Sequence, residues 1–541
     1  MNVLNKLIAA VFMLAFWVST NAQDAPFEIT LEPMNITGLG GIQSYAYGQA
    51  NDKWLIVGGR LDGLHRRQPW AAFDIAGHNN QLIVVDPVSQ QKWSAPLTSL
   101  PTSIQEQLSS TNMEFYQEGD YLYFLGGYGY SPTAADHTTF DKLTAIKVSD
   151  VINAVINNTS FSSYFRQITD AQFQVTGGQL KKINNTYFLL GGQKFIGRYN
   201  PMGPNNGPGF IQEYTDAIRK FTLTDDGTAI TINHLTPHSD AANLHRRDYN
   251  AEPQILPNGD EGITMFSGVF QTTVNLPFLN SVSVDSNTYT VNNSFQQYYN
   301  HYHCPVLPIY SETSNEMHNV FFGGIAQFYD SSGTLVQDDN VPFVNTIARV
   351  TRDNNGNLAE YKLPIEMPSL LGAGAEFIQN LNFPRFSNNV FKLDSVTEDS
   401  TLIGYIFGGI SSSQPNIFFI NDGTQSNANS QIFKVFIQQS TALSIDEFNQ
   451  SSTSNLNLKI YPNPNSGVLN ISFNLIENEN VTISIYDLKG AIMDKIDLKN
   501  TTIGTNRFQK EIDKLEKGSV YFISVETPTT KATHKLIVSK R

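Results

Sequence analysis

Tyr121-Leu-Tyr-Phe-Leu-Gly-Gly127 decides the fold: a run of apolar and aromatic residues, one strand long, closes on two glycines. The phrase returns as Thr186-Tyr-Phe-Leu-Leu-Gly-Gly192 and Asn319-Val-Phe-Phe-Gly-Gly324, and small-residue pairs end further runs at Gly58-Gly59, Ser267-Gly268 and Gly408-Gly409. Runs this short and this rich in aromatic residues suit a pleated surface buried on both sides, so they predict strands rather than helices. A second strand-like segment precedes the clearest copies, at 113–116, 172–175, 254–256 and 305–309, across polar turns such as Gln117-Glu-Gly-Asp120. The turn facing 305–309, residues 311–319, is the one long exception. Downstream, the Asp-Gly of 226–227 and the Asn-Gly of 355–356 supply the positive φ of outer hairpins. Six such units, each too short to bury a core alone, predict an all-β radial array of four-stranded blades, with seven blades the alternative to six.

An open array would leave sheet edges free to pair with other chains. Phe27-Glu-Ile-Thr-Leu-Glu32 is therefore expected to supply the outermost strand of the last blade, beside Ile432-Phe-Lys-Val-Phe-Ile437. Together with Leu82-Ile-Val-Val-Asp-Pro-Val-Ser-Gln-Gln-Lys-Trp-Ser-Ala-Pro96, the glycine-pair units resemble the kelch family of β-propellers over about residues 27–439. That resemblance implies a kelch-like β-propeller.

Both ends carry export signals. Lys6, the apolar run 7–18 and Ser19-Thr-Asn-Ala22 form a secretory signal peptide, residues 1–22, cleaved after Ala22. Its apolar run is short for a span, and no other run approaches the roughly 18–20 residues that crossing needs, so no transmembrane segment is expected in the mature chain. The organisation predicted is a propeller over 23–439, a Ser-rich linker over 440–456 and a small domain over 457–541. In that last stretch polar and apolar residues alternate (Thr482 and Ser484 against Ile483 and Ile485) across about seven short segments, which predicts a small β-sandwich. Its motifs are Ile460-Tyr-Pro-Asn-Pro-Asn-Ser-Gly-Val-Leu-Asn-Ile471, Val481-Thr-Ile-Ser-Ile-Tyr-Asp-Leu-Lys-Gly490, Leu515-Glu-Lys-Gly-Ser-Val-Tyr-Phe522 and Lys535-Leu-Ile-Val-Ser-Lys540. They resemble the type A sorting domain of the type IX secretion system, with Ser519 and Val520 standing where the family usually has one residue. The resemblance assigns the sorting motif to Tyr461, Pro462, Asn463, Pro464, Gly467, Tyr486, Asp487, Gly490 and Lys535. It implies the type IX machinery as a partner, a Bacteroidota-type cell, and release or attachment at the outer cell surface.

Charge narrows the ligand. Of 35 Lys and Arg and 49 Asp and Glu, residues 457–541 hold 12 and 9 and the leader holds Lys6, leaving 22 basic against 40 acidic residues elsewhere. A surface so acidic repels phosphate backbones, so no nucleic acid is expected as a partner. The single cysteine, Cys304, cannot form an internal disulfide, and no P-loop, HExxH, CxxC or G-x-S-x-G motif is present.

Loops indicate where a ligand would sit. Connections leaving the glycine pairs are long (60–80, 128–142, 193–216, 325–344, 410–430), and in a meander blade all of them open on one face. Most propeller histidines, His65, His78, His137, His234, His238, His245, His301 and His303, are placed on that side, with His318 opposite. His65-Arg66-Arg67 and His245-Arg246-Arg247 put paired cations near the mouth, as a carboxylate or sulfate would require; arginines paired with acids such as Asp248 are the alternative. Aligning first strands on the glycine pairs places Asn112, Asp170, Asn250 and Tyr302 at the channel, with Glu114, Gln172, Glu252 and Cys304 two residues on. If 301–304 were strand, His301 and His303 would share a face and could ligate copper or zinc. Kelch-type copper oxidases use two histidines, two tyrosines and a cysteine, but Tyr298, Tyr299, Tyr302 and Cys304 do not follow that family's order. No cofactor or metal is assigned. Sialidase-type Ser-x-Asp-x-Gly-x-Thr-Trp boxes are absent. The function expected is glycan or protein binding, with Trp70, Tyr128, Tyr130 and Tyr199 as stacking platforms. A copper-radical oxidase or a carbohydrate-active enzyme is the alternative.

Overall fold

The computed structural model describes residues 26–203, 209–397, 400–439, 456, 458–487, 490–512, 514–528 and 530–539. The signal peptide lies outside the described residues, as does all of the expected linker except Leu456. The chain divides into two compact units, Phe27–Gln439 and a C-terminal unit after it.

Among the described residues the first unit holds six antiparallel blades whose strands run in simple meander order. Blade one is Ala46–Ala50, Lys53–Val57, Gln81–Asp86 and Gln91–Pro96; blade two is Glu114–Glu118, Tyr121–Leu125, Lys142–Lys147 and Phe165–Thr169. Blade three is Gln179–Ile183, Thr186–Leu190, Ala217–Asp225 and Ile230–Ser239; blade four is Asn250–Ile255, Glu261–Phe266, Ser281–Val284 and Tyr289–Asn292. Val306–Ser311, Glu316–Ile325, Phe343–Arg352 and Leu358–Glu366 make blade five, and the two-residue strand Phe391–Lys392 adds in parallel beside Val306–Ser311. Ala375–Gln379, Thr401–Gly408 and Ile432–Gln439 make blade six, whose fourth strand is Phe27–Met34 from the other end of the unit. Phe27 pairs with Gln439 and Met34 with Ile432, antiparallel, so the ring closes as the edge argument requires.

The glycine-led runs are the second strands, and they are buried along almost their whole length. Aliphatic and aromatic side chains on both faces fill the spaces between neighbouring blades: Leu55, Leu122, Phe124 and Ile146 in one core, Phe188, Leu190, Ile263 and Met265 in another. The inner strands are stitched by amides as well. Gln117 receives the backbone N–H of Gln49 (2.7 Å) and donates to its carbonyl (2.8 Å).

Two features differ from expectation. The turn expected to be long on the face opposite the glycine pairs is short, because Ser311 and Glu316 are already paired strand residues. That face instead carries two other long connections: 380–400 in blade six, and 148–164 in blade two with the helix Val148–Ile156. Val148, Val151, Ile152 and Val155 of this helix complete the core between blades one and two.

The C-terminal unit is a seven-stranded β-sandwich among the described residues. Lys459–Tyr461, Val468–Leu475 and Gly504–Glu511 face Ile492–Thr501, Glu479–Tyr486, Val520–Glu526 and Lys531–Ile537. Leu469, Ile471, Phe473, Ile483, Ile485, Ile523 and Val525 form its core. Leu456, read from sequence as the end of a polar linker, belongs to that core: it is apolar, and its carbonyl accepts the Asn474 N–H at 2.6 Å.

Candidate functional site

One residue from each blade meets the next around the axis. Asn112 donates its N–H to the Ser44 carbonyl (3.1 Å), Gly177 to Asn112 (3.3 Å), Asp248 to Gly177 (2.7 Å), His303 to Asp248 (3.0 Å), Gly374 to His303 (3.0 Å) and Ser44 to Gly374 (2.7 Å). Six hydrogen bonds thus form a closed circle, and the last joins blade one to blade six. The glycine pairs dock on the same belt. The Gly127 N–H donates to the Val175 carbonyl of the next blade (2.9 Å), and a Cβ on Gly126 would stand 1.8 Å from that same oxygen. Equivalent bonds run from Gly59 to Ser110, Gly192 to Arg246, Gly324 to Leu371 and Gly409 to Ile42. In blade four, where Ser267 replaces the first glycine, its hydroxyl bonds the Phe278 carbonyl (2.7 Å).

The belt divides two chambers. Ser44, Asn112, Asp248 and His303 line both. The upper chamber, about 650 Å³, lies on the long-loop face and takes its walls from every one of the long loops expected there. The residue after the glycine pair lines it in five blades: Arg60, Tyr128, Gln193, Ile325 and Ile410. Phe73, Tyr128, Phe195, Tyr199 and Phe210 form one continuous aromatic wall, with centroids 5.3 to 5.8 Å apart between neighbours. Three arginines stand among the rings. Arg60 is held by Asp62 and the Asp74 carbonyl, lies over Phe73 and is 3% exposed, yet its Nη1 has no partner among the described residues. Arg67 donates to the Pro201 carbonyl (2.8 Å) beneath the exposed Phe419, and Arg247 bonds the Tyr214 hydroxyl (2.9 Å) and pairs with Asp248. Burial pushes the His65 imidazole down to about 4, so it is neutral here.

The lower chamber, about 400 Å³, extends to Gly119 and Leu381 in the turns of the opposite face. Three glutamates line it, from alternate blades: Glu114, Glu252 and Glu376. Glu376 stands 3.3 Å from His303 Nε2 and Glu252 stands 3.9 Å from Lys181 Nζ. Burial opposes a charge on His303, but Glu376 outweighs it and raises the imidazole pKa. Glu114 is 2% exposed; one oxygen accepts the Gly178 N–H (2.8 Å), the other has no partner among the described residues, and burial raises the carboxyl to about 8.

Of the residues singled out in the sequence, Arg67, Asn112, His245, Arg247 and His303 line the chambers, as do His65, Tyr128, Tyr199, Tyr302, Glu114, Glu252 and Cys304. The paired cations resolve into one inward arginine each. Arg66 is exposed, and Arg246 is fully buried, donating to the carbonyls of Asn243 (2.6 Å) and Asn280 (3.0 Å), because neighbours on extended chain point to opposite sides. Trp70 and Tyr130 line neither chamber, and Trp70 is 71% exposed. Asp170 does not reach the channel: it caps the turn Ala171–Phe173 and bonds His234 Nε2 (2.5 Å), since the first strand of blade three begins only at Gln179. Asn250 is buried between blades, accepting the Cys304 N–H (3.1 Å) and donating to the Tyr302 carbonyl (3.0 Å). His301 and His303 precede their strand and do not share a face. Both ring nitrogens of His301 are occupied, by the Gln297 carbonyl (2.9 Å) and the Gln327 N–H (3.0 Å). Cys304 is buried, its thiol pushed up to about 12 by desolvation. Among the described residues, no three His, Cys, Asp or Glu side chains are grouped so as to hold a metal ion. His234 and His238 sit on an outer strand, not at the mouth.

In the C-terminal unit, Asn463 ties the Pro-rich turn to the last strand, donating to the Lys535 carbonyl (2.7 Å) and accepting the Ile537 N–H (2.8 Å). Two motifs far apart in sequence are thus one surface.

Residues 459–539 match the secretion system C-terminal sorting domain family. This domain directs the chain through the type IX machinery to secretion and the outer cell surface. No helix among the described residues is long and apolar enough to cross a membrane. No curated protein matches the chain. Among solved structures, YjhT is 11% identical over 75% of this chain and 99% of its own, with a TM-score of 0.41. A fungal alcohol oxidase of the AA5 family in complex with copper is 10% identical over 95% and 100%, at 0.36. A Bacillus subtilis glycoside hydrolase family 43 arabinoxylan arabinofuranohydrolase is 8% identical over 93% and 96%, at 0.27.

Proposed function

We propose that this is an exported propeller of the kelch type that binds an acidic glycan in its upper chamber and is delivered by its sorting domain to the surface of a Bacteroidota-type cell. One observation carries the reading: a concave chamber of about 650 Å³ combines aromatic faces with three arginines, in a unit that is otherwise strongly acidic. Sugar rings stack on aromatic faces, and a guanidinium with a free N–H favours a carboxylate or sulfate over a neutral hydroxyl. Arg67, a half-buried guanidinium on the chamber wall, supplies such a group, and Phe419, 63% exposed, supplies a platform. Concavity favours a chain of sugars over a flat protein epitope.

The test is an array of uronate-bearing, sulfated and neutral glycans, followed by calorimetry on the best binder. Acidic glycans should be preferred. Arg67→Ala and Phe419→Ala should each weaken binding about tenfold, the loss of roughly 1.4 kcal/mol expected for one charge-assisted bond or one stacked ring, with unfolding unchanged. Equal binding of neutral and acidic glycans, or none of either, would overturn the proposal.

A further inference from the structure

We infer that the upper chamber cleaves the acidic glycan it holds, by β-elimination at a 4-linked uronate, with His245 as base, Tyr214 as acid and Arg247 on the carboxylate. This rests on the acidic-glycan reading and adds a reaction to it. The three side chains form one cluster on the chamber wall. His245 and Arg247, two residues apart, point inward while Arg246 between them is buried, and Tyr214 ends the strand Ile211–Tyr214. The imidazole lies flat on the phenol ring, with centroids 3.7 Å apart and planes 17° from parallel, so base and acid fall within the span of one sugar ring.

Each member is prepared for its part. Asp216 Oδ1 stands 2.6 Å from His245 Nδ1, which fixes the proton of a neutral imidazole on that nitrogen and leaves the lone pair on Nε2. Asp216 does not line the chamber; His245 does, and its Nε2 has no partner among the described residues. Tyr214 Oη accepts the Arg247 Nε–H (2.9 Å) and donates its own proton to no group among the described residues. The same guanidinium pairs through Nη1 with Asp248 and lies over Phe270, and its Nη2 has no partner among the described residues.

Other chemistry is less well equipped here. Hydrolysis of a glycoside takes two carboxyl groups flanking the bond. The acids lining this chamber are Asp248, paired with Arg247, and Asp339, which accepts from Gln327 (2.7 Å) and Gln337 (2.8 Å). Of the other histidines on its walls, His65 packs against Phe73 and Tyr199, and His303 faces Glu376 at 3.3 Å. Elimination instead asks for one base, one acid and a cation. A guanidinium on the uronate carboxylate stabilises the charge that develops there as the C5–H bond breaks. His245 Nε2 takes the C5 proton, the electron pair left behind forms the C4=C5 double bond, and the C4–O4 bond breaks with its pair going to O4. Tyr214 gives its proton to O4, which leaves as the anomeric hydroxyl of the departing sugar, while Arg247 Nε holds the phenolate. The proton on the imidazolium then restores the phenol. One chain becomes two, and neither water nor an oxidant is consumed.

The assay incubates the mature full-length protein with polygalacturonate, alginate and chondroitin sulfate, and with the best uronate binder from the array. It follows the ultraviolet absorbance of a double bond conjugated to the carboxylate, and calorimetry on the same chains reads binding. Absorbance should rise on the chain that binds, with fragments one water lighter by mass than hydrolysis would give. His245→Gln and Tyr214→Phe, which keeps the stacked ring, should each lower kcat at least about a hundredfold with affinity retained. Asp216→Asn, which only loosens the hold on the imidazole, should lower kcat at least about tenfold with KM unchanged. Melting curves check that the variants fold. A uronate chain that binds without an absorbance rise, cleavage to saturated ends, or full activity in His245→Gln would overturn the elimination and leave the binding reading standing. Failure of every uronate chain to bind would overturn both.

Discussion

Replacing Glu114 by Gln should make the propeller more stable, but only at neutral to alkaline pH. The folded carboxyl titrates at about 8 against 4.5 for a free one, because burial penalises its charge. Every tenfold difference in proton affinity between the folded and unfolded chain is worth about 1.4 kcal/mol, so about 5 kcal/mol of folding free energy is tied to that proton. The sign follows from the raised value. Below pH 4.5 both folded and unfolded states hold the proton and the group's contribution is intact; as pH rises, the unfolded chain ionises first and stability drains away until the folded carboxyl ionises too, near pH 8. Gln has the shape of the protonated acid and can still accept the Gly178 N–H, so it does not titrate and loses nothing. Urea unfolding of both proteins at unit steps from pH 5 to pH 9 measures the difference directly. The curves should nearly coincide at the acid end and diverge by about 5 kcal/mol at the alkaline end, with Gln the more stable. Other groups, His303 included, titrate in both proteins and cancel. Parallel curves across that range would refute the claim that Glu114 is held as a neutral acid.

Three further outcomes are expected. Arg246→Ala should cost about 3 kcal/mol in urea unfolding, since it strips donors from several buried carbonyls, while glycan affinity is preserved. Gly126→Ala should lower stability by more than about 4 kcal/mol, or prevent folding, because its methyl would collide with the Val175 oxygen at a positive φ of 59°. Deleting residues 459–539 should leave the propeller's melting curve unchanged and abolish its appearance at the cell surface, followed by fractionation of cells and medium.

The wheel was legible because each glycine pair performs one physical task, bringing a carbonyl of the next blade against the backbone, and that task tolerates almost no side chain. Blade four relaxes the rule at Ser267 and still closes, which is why the pattern looked degenerate there. Closure by Phe27–Met34 followed from the cost of a free edge. The site was harder to read because facing depends on register. Arg246 and Arg247 are adjacent yet point apart, and Asp170 was misplaced because blade three inserts a turn before its first strand. Two signals went unused. The residue after each glycine pair would have given Arg60, and the spacing of Val148, Val151, Ile152 and Val155 would have given the helix on the opposite face. Glu376 was missed because the first strand of blade six lacks a clear apolar run of its own.

The belt of hydrogen bonds at the waist of the propeller has no beginning. A helix ends in bare donors at one pole and bare acceptors at the other, and those poles attract ions. In the circle through Ser44, Asn112, Gly177, Asp248, His303 and Gly374 every N–H is already engaged by a carbonyl of the blade beside it, so the dipoles chase one another and leave no pole. The main-chain N–H groups of the belt therefore offer nothing to an anion. Selection among solutes at that level falls to side chains, which mutation can change one at a time while the belt itself stays as it is.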